Sequence, residues 1–204
     1  EQISFFENKK ILISGGGGYL GSKLAEKLSS YNCEVFLLDL KFNNISNRLT
    51  ITNSKIKQIQ ADLTNKVDLK EKCQKIEADI IFHFAALLLR ERSFENYDKL
   101  YEVNVKGTLN LLESLKETEY KRFVYASSSE IYGNNESPFN ENQIPKPVSP
   151  YSLTKLMGEH LTENYSITYN KPFSIYRIFN FYGEEMPPNF FLSQLEDALE
   201  NNLE

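Results

Sequence analysis

Along the chain, short apolar runs alternate with longer stretches whose apolar positions recur at helical spacing. Residues 11–14, 35–39, 56–60, 79–85, 123–127 and 173–178 read as strands, and they are apolar nearly throughout, as strands covered on both faces are. Between them, 19–30, 67–75, 97–117 and 151–169 read as helices, the first of them placing Leu20, Leu24, Ala25 and Leu28 on one face. This alternation predicts an α/β fold, a doubly wound parallel sheet of Rossmann type. A last helical stretch covers 191–203. Two segments break the pattern and read as loops: 42–53, rich in Asn and Ser, and 134–150, which holds Pro138, Pro145, Pro147 and Pro150. The second is long for a compact domain, and loops of that kind commonly border a site.

The first strand runs straight into a glycine cluster, with Gly15, Gly18 and Gly21 spaced through Ser14 to Gly21 and Tyr19 and Leu20 already on the helix beyond it. A dinucleotide turn needs glycine because a pyrophosphate must come within hydrogen-bonding distance of N–H groups at the helix N-terminus. Glycine-rich turns also end strands with no chemistry attached, so the remaining residues have to decide. Asp39 closes the second strand, where a carboxylate accepts from both adenosine ribose hydroxyls and repels the extra phosphate of NADP. NAD is therefore the expected cofactor, a preference that Lys41 two residues on can soften. Asp62, with Leu63 after it, comes beyond the third strand, placed either to meet the adenine amino group or to cap a helix. Phe84, Ala85 and Ala86 close the fourth strand with small residues, which lets a ligand lie against the backbone; tight packing alone would look the same.

Composition narrows the field. The 204 residues suit one domain, and 41% hydrophobic with 25% charged residues is ordinary for a soluble globular protein. Net charge is -5 with no concentrated basic patch, so nucleic acid is not an expected partner. No apolar run has the length of a membrane span, and residues 1–10 lack the apolar core of a signal peptide, which makes a cytoplasmic location the expectation. Cys33 and Cys73 stand far apart and read as buried free thiols. Neither they nor His83 and His160 share a metal-like spacing, and no metal is expected.

The second half carries the candidate chemistry: Ser127, Ser128, Ser129 and Glu130 after the fifth strand, Tyr151 with Lys155, and Arg177 to Asn180 after the sixth. In a doubly wound sheet, whatever lies just beyond the strands' carboxyl ends gathers in one crevice. Tyr151 and Lys155 share a helix face, and an ammonium near a phenol lowers its pKa from about 10 toward the working range, making it a usable base. The pair alone proves little among 12 tyrosines, since Tyr19 with Lys23 has the same spacing, and serine hydroxyls cap turns constantly. Its context raises it: a proline turn starts the helix, downstream of a triple serine at a strand end.

Taken in order, Ser14 to Gly21, Asp39, Asp62-Leu63, Phe82 to Ala86, Asn104 to Thr108, Ala126 to Gly133, Pro150 to Lys155 with Gly158-Glu159, and Arg177 to Gly183 resemble the extended short-chain dehydrogenases, in particular the NAD-dependent nucleotide-sugar epimerases and dehydratases. The resemblance implies that Tyr151 takes the proton of the sugar 4-hydroxyl while the sugar C4 is oxidised. It implies further that Lys155 holds the nicotinamide ribose and depresses the Tyr151 pKa, that Ser128 hydrogen-bonds the sugar 4-oxygen, and that Asn180 contacts the substrate diphosphate. Asn104 is placed near the cofactor as a structural or water-holding residue.

The step after this oxidation divides the family. Ser129 and Glu130 stand where dehydratases and decarboxylases carry the groups for their second step, and a glutamate there can abstract the proton beside the new ketone provided burial raises its pKa. A 4-epimerase comes first on family frequency, with a 4,6-dehydratase or decarboxylase behind it. A non-catalytic dinucleotide-binding module and a reductase that releases its reduced cofactor are the remaining alternatives. Residues 87–93 are more apolar and more charged than the family's usual loop. Members of the family run on beyond this length, so residues 1–186 are expected to form the NAD-binding domain and 187–204 the start of a substrate-binding part largely absent from this chain. The family also implies a homodimer, through helices such as 97–117 and 151–169.

Overall fold

The computed structural model of the chain describes residues 5–89, 92–188 and 190–200. Six strands lie parallel in one sheet: β1 (Lys10–Ser14), β2 (Glu34–Asp39), β3 (Ile56–Gln60), β4 (Ile80–His83), β5 (Arg122–Ser128) and β6 (Phe173–Ile178), in the order β3-β2-β1-β4-β5-β6. The helices are α1 (Tyr19–Leu28), α2 (Asn44–Thr52), α3 (Lys66–Ile76), α4 (Tyr97–Tyr101), α5 (Gly107–Ser114), α6 (Pro150–Thr168) and α7 (Phe191–Glu200). The order reverses between β1 and its neighbours β2 and β4, and in sheets of this kind the crevice beyond that point is where ligands bind.

The doubly wound expectation is met, and alternation along β1 shows why the strands read as continuously apolar. Ile11 and Ile13 face a core with Ala25 and Leu28 of α1 and Ile45 and Leu49 of α2, whereas Leu12 faces the opposite core with α3, α5 and α6. Both sides of the strand are thus dry. The exceptions are the edge strands: β3 has only Ile56 buried, and β6, which pairs only with β5 among the described strands, has no fully buried residue; Tyr176 on it is 59% exposed.

Several boundaries differ from the sequence expectation. Residues 42–53 are not a loop: they hold α2, started by Asn43, whose side chain accepts from the Ser46 amide, and anchored by buried Ile45 and Leu49. The segment 97–117 is helical to Ser114, as expected, but not α-helical throughout. Between α4 and α5 the chain makes a π-helical turn, Glu102–Lys106, with Asn104 buried at its centre. Strand β4 stops at His83 because the amides of Phe84 and Ala85 both turn to the Ser14 carbonyl, at 2.8 and 3.0 Å. The terminal helix is described to residue 200, and 201–203 of the expected stretch lie outside the described residues. Cys33 and Cys73 are free and buried, as expected.

Helix α6 packs on β5 through a gap left by a glycine. A Cβ at Gly158 would stand 2.0 Å from the Tyr125 hydroxyl oxygen, so helix and strand approach only because no side chain is there. Gly158→Ala is expected to cost about 1–3 kcal/mol through overpacking, read as a lower thermal midpoint; an unchanged midpoint would show that the helix lifts freely.

Candidate active site

The site begins at the carboxyl end of β1. Gly15 has a φ of +80°, and a Cβ on it would lie 2.5 Å from the Ala85 amide nitrogen; the turn therefore excludes side chains on both conformational and steric grounds. Its amide and that of Gly16 bond the Leu38 carbonyl, at 2.9 and 3.3 Å. Helix α1 then starts at Gly18 with no side-chain cap. The amides of Tyr19, Leu20 and Gly21 precede any intrahelical acceptor, which leaves a pole of donors for an anion. Gly15, Gly18, Tyr19, Leu20 and Gly21 form one wall of a cavity of about 770 Å³.

Strand β5 and helix α6 supply the opposite wall. Ser128 ends the strand and caps a short turn, Ser129–Tyr132, by accepting from the Glu130 amide at 3.2 Å. Across the proline loop, Ser149 and Ser152 form a reciprocal capping box with Pro150 at the first turn, which fixes the start of α6 and so the direction of Tyr151 and Lys155. Ser128, Ser129, Glu130, Tyr151 and Lys155 all line the same cavity as the glycine turn, and Phe84, Ala86 and Asn180 line it too.

The electrostatics of this wall differ from the expectation. Burial pushes the Tyr151 phenol up to about 12; the Glu130 charge adds to this and a hydrogen bond with Ser128 opposes it. Burial pulls Lys155 down to about 7, with Glu159 opposing. Lys155 is thus no source of the expected depression of Tyr151 in the protein alone: the cost of desolvating each charged form dominates both groups.

The other predicted residues separate into those at the cavity and those behind it. Asp39 grips the glycine turn, its Oδ2 accepting from the Gly17 amide at 3.0 Å and its Oδ1 from Leu40 at 2.7 Å. Asp62 is not the cap of α3, a role taken by Asn65; its carboxylate accepts from the Thr64 amide and hydroxyl, both at 2.8 Å. Leu63 is buried, and Ala85 packs against the same core from the strand end. Asn104 stands behind the cavity wall, where its side chain makes two hydrogen bonds to the Leu87 backbone, at 2.7 and 3.0 Å, and a third to Thr154 of α6 at 3.0 Å. Glu130, whose role as a base required burial, is exposed and accepts from the Ser149 hydroxyl at 3.3 Å.

Residues 12–204 match the sequence pattern of the family described as GDP-mannose 4,6 dehydratase. The chain belongs to that family. Among curated relatives, a dTDP-D-glucose 4,6-dehydratase of Dictyostelium discoideum is 33% identical over 95% of this chain and 49% of its own length. A UDP-glucuronate 4-epimerase of Thermodesulfobacterium geofontis is 32% identical over 87% of this chain and 58% of its own. A crystal structure of UDP-glucuronic acid 4-epimerase from Bacillus cereus, in complex with UDP-glucuronic acid and NAD, superposes with a TM-score of 0.82 at 29% identity, covering 95% of this chain and 63% of that one. The resemblance to nucleotide-sugar epimerases and dehydratases drawn from the motifs is borne out. The chain spans about half to three fifths of the length of the curated relatives it matches.

Within this dehydratase-family scaffold, some residues named from the sequence make contacts at the site that the sequence does not reveal. Arg177 of β6 makes a two-pronged ion pair with buried Glu159 of α6, at 3.1 and 3.0 Å, and reaches the Tyr132 hydroxyl and the Glu141 carbonyl, both at 3.2 Å. It thereby ties the proline loop to the helix that carries Tyr151. Tyr19 stacks on Phe181 with centroids 6.1 Å apart and donates to the Glu184 carbonyl at 3.0 Å, while Glu185 pairs with Lys23 at 2.8 Å and Arg48 at 3.0 Å. These contacts join residues far apart in sequence, so spacing cannot reveal them.

Proposed function

We propose that the protein is an NAD-dependent nucleotide-sugar epimerase or dehydratase that works through transient oxidation at the sugar C4. The observation that carries this reading is the convergence of Ser128, Tyr151 and Lys155 on one cavity with the uncapped N-terminus of α1. The glycine turn and the free amides of α1 fit a pyrophosphate, and Asp39, which already orders the turn, has carboxylate lone pairs left for ribose hydroxyls. NAD, when bound, supplies a reversible two-electron acceptor and a positive ring charge that favours the Tyr151 phenolate. Tyr151 then takes the proton of the 4-hydroxyl, and the Ser128 hydroxyl donates to the 4-oxygen as charge develops on it. Asn180 is exposed on the cavity wall, open to the substrate diphosphate.

Epimerisation stands first, supported by relatives named as 4-epimerases and by a Glu130 that is exposed. The second reading, a 4,6-dehydratase or decarboxylase, is favoured by Glu130 lining the cavity beside Tyr151 and by relatives named as dehydratases. On either reading the part that grips the nucleotide base starts near residue 187. The cytoplasmic homodimer of the sequence expectation belongs to the same proposal, supported by Leu109 of α5 and Ile167 of α6, exposed apolar residues on the expected dimer helices. No described helix is long and apolar enough to cross a membrane. Incubating the full-length protein and NAD with UDP-, GDP- and dTDP-sugars is expected to convert one class, seen by mass spectrometry, with no net change at the nicotinamide absorbance. Conversion of none would leave a binding module, and a net absorbance change would make it a reductase.

A further inference from the structure

Lys155 is 3% exposed, and the carboxylate one helical turn further on, Glu159, spends both oxygens on Arg177. What faces the ammonium is the ring of Tyr125 on β5, with Nζ 4.5 Å from its centroid. The hydroxyl of the same tyrosine donates to the Lys155 carbonyl at 3.3 Å, and the ring reaches that position because Gly158 leaves the space for it. One side chain therefore touches the lysine at both its backbone and its charge. We propose that Tyr125 is a positioning residue for Lys155: its ring face carries the ammonium, and its hydroxyl fixes the turn of α6 that aims it into the cavity.

The physical need is plain. An ammonium taken out of water without a partner gives up its proton, and the negative face of an aromatic ring is a partner that brings no second charge to be desolvated. Tyr125 cannot serve as a phenolate, because burial holds its hydroxyl far above the ordinary tyrosine range. The other titratable or charged groups around Lys155 are Tyr151 and Glu159 on its own helix, Arg177 on β6 neutralising Glu159, His83 on β4, and Glu130 beyond Tyr151. Among the described residues it is the Tyr125 ring, and none of these groups, that is seen stacked under the ammonium. Nothing in the sequence marks this tyrosine, since it sits in the middle of an apolar strand and reads as core. The inference rests on the proposed function only for what the aimed ammonium serves, and its test needs no cofactor.

The test compares Tyr125→Phe with a protein carrying trifluorinated phenylalanine at the same position, whose ring has the same shape and a weakened negative face. Lys155 is titrated by NMR in heavy-carbon-labelled lysine, its signal assigned by its loss in Lys155→Met. Tyr125→Phe is expected to keep the midpoint within about 0.3 pH units and to speed hydrogen exchange in the turn after Lys155 severalfold. The fluorinated ring is expected to lower the midpoint by a further half to one unit, roughly the range of a desolvated cation–ring contact. Equal midpoints for the two rings would overturn the role of the ring face, and unchanged exchange in Tyr125→Phe would overturn that of the hydroxyl. Failure of the protein to bind NAD would leave both results standing and count only against the functional reading.

Discussion

Tyr151→Phe is expected to lower turnover by about three orders of magnitude while leaving NAD affinity within a few fold of the wild type. The substitution removes one oxygen from the cavity wall and nothing from the glycine turn, so binding at α1 and chemistry at α6 separate cleanly. The phenol is held protonated in the protein alone, at about 12, by burial and then by the Glu130 charge. Its use as a base must therefore coincide with formation of the complex, and single-turnover measurements should show the loss in the oxidation step rather than in association. Calorimetric titration with NAD beside a product assay is the pair of measurements needed. Turnover equal to that of the wild type would remove Tyr151 from the mechanism and leave the dinucleotide site intact.

Lys155→Met is expected to have the second large effect, in two opposite directions: turnover falls and the fold becomes more stable. A lysine held at about 7 in the folded chain titrates at its ordinary value of 10.5 when unfolded. Between these values the unfolded state binds more protons, so wild-type stability rises with pH from 7 upward, and below 7 the penalty is present in full. The rise is visible to about pH 9; beyond it buried thiols such as Cys73, pushed up to about 12, add the opposite slope because they keep their protons only in the folded state. Denaturant midpoints measured at pH 7 and pH 9 should diverge for the wild type and coincide for Lys155→Met. At neutral pH the variant is expected to be more stable by a few kcal/mol, on the order of 3, the cost of a buried ammonium. A wild-type midpoint that is flat over this window would mean that water reaches Lys155.

How much of the molecule can be read from its sequence is set by the range of the forces involved. Strands β1, β2, β4 and β5 are legible because two cores, one on each face, demand continuous apolar runs, and the glycine turn is legible because Gly15 at a φ of +80° has no substitute. Helix α2 escapes since its signal is short: two buried apolar residues, Ile45 and Leu49, in a polar stretch whose Asn43 looks like a turn residue and is in fact a cap. The π-helical turn is hidden because nothing local marks it; the Asn104 side chain at its centre bonds the Leu87 backbone, a partner that spacing does not reveal. The candidate chemistry is legible as residue types at a spacing, but its charge states are not. Whether Lys155 depresses Tyr151 depends on how far each group is desolvated, which tertiary packing sets and their spacing does not.

The histidine of β4 has a consequence for any pH profile of this protein. His83 Nδ1 lies 2.8 Å from the Ser14 hydroxyl and Nε2 lies 2.8 Å from the Thr108 hydroxyl, while Thr108 gives its one proton to the Asn104 carbonyl at 2.6 Å. Nε2 must then be the protonated nitrogen and Nδ1 the acceptor, which confines the ring to a single tautomer. A second proton would make Nδ1 a donor and oblige the Ser14 hydroxyl to turn its own proton elsewhere in an enclosed site; burial, with the nearby Lys155 charge second, holds the imidazole down at about 3. The link between the end of β1 and the π-helical turn is for this reason inert to protons across the physiological range, and an inflection near neutrality in the activity of this protein has to come from a group other than this imidazole.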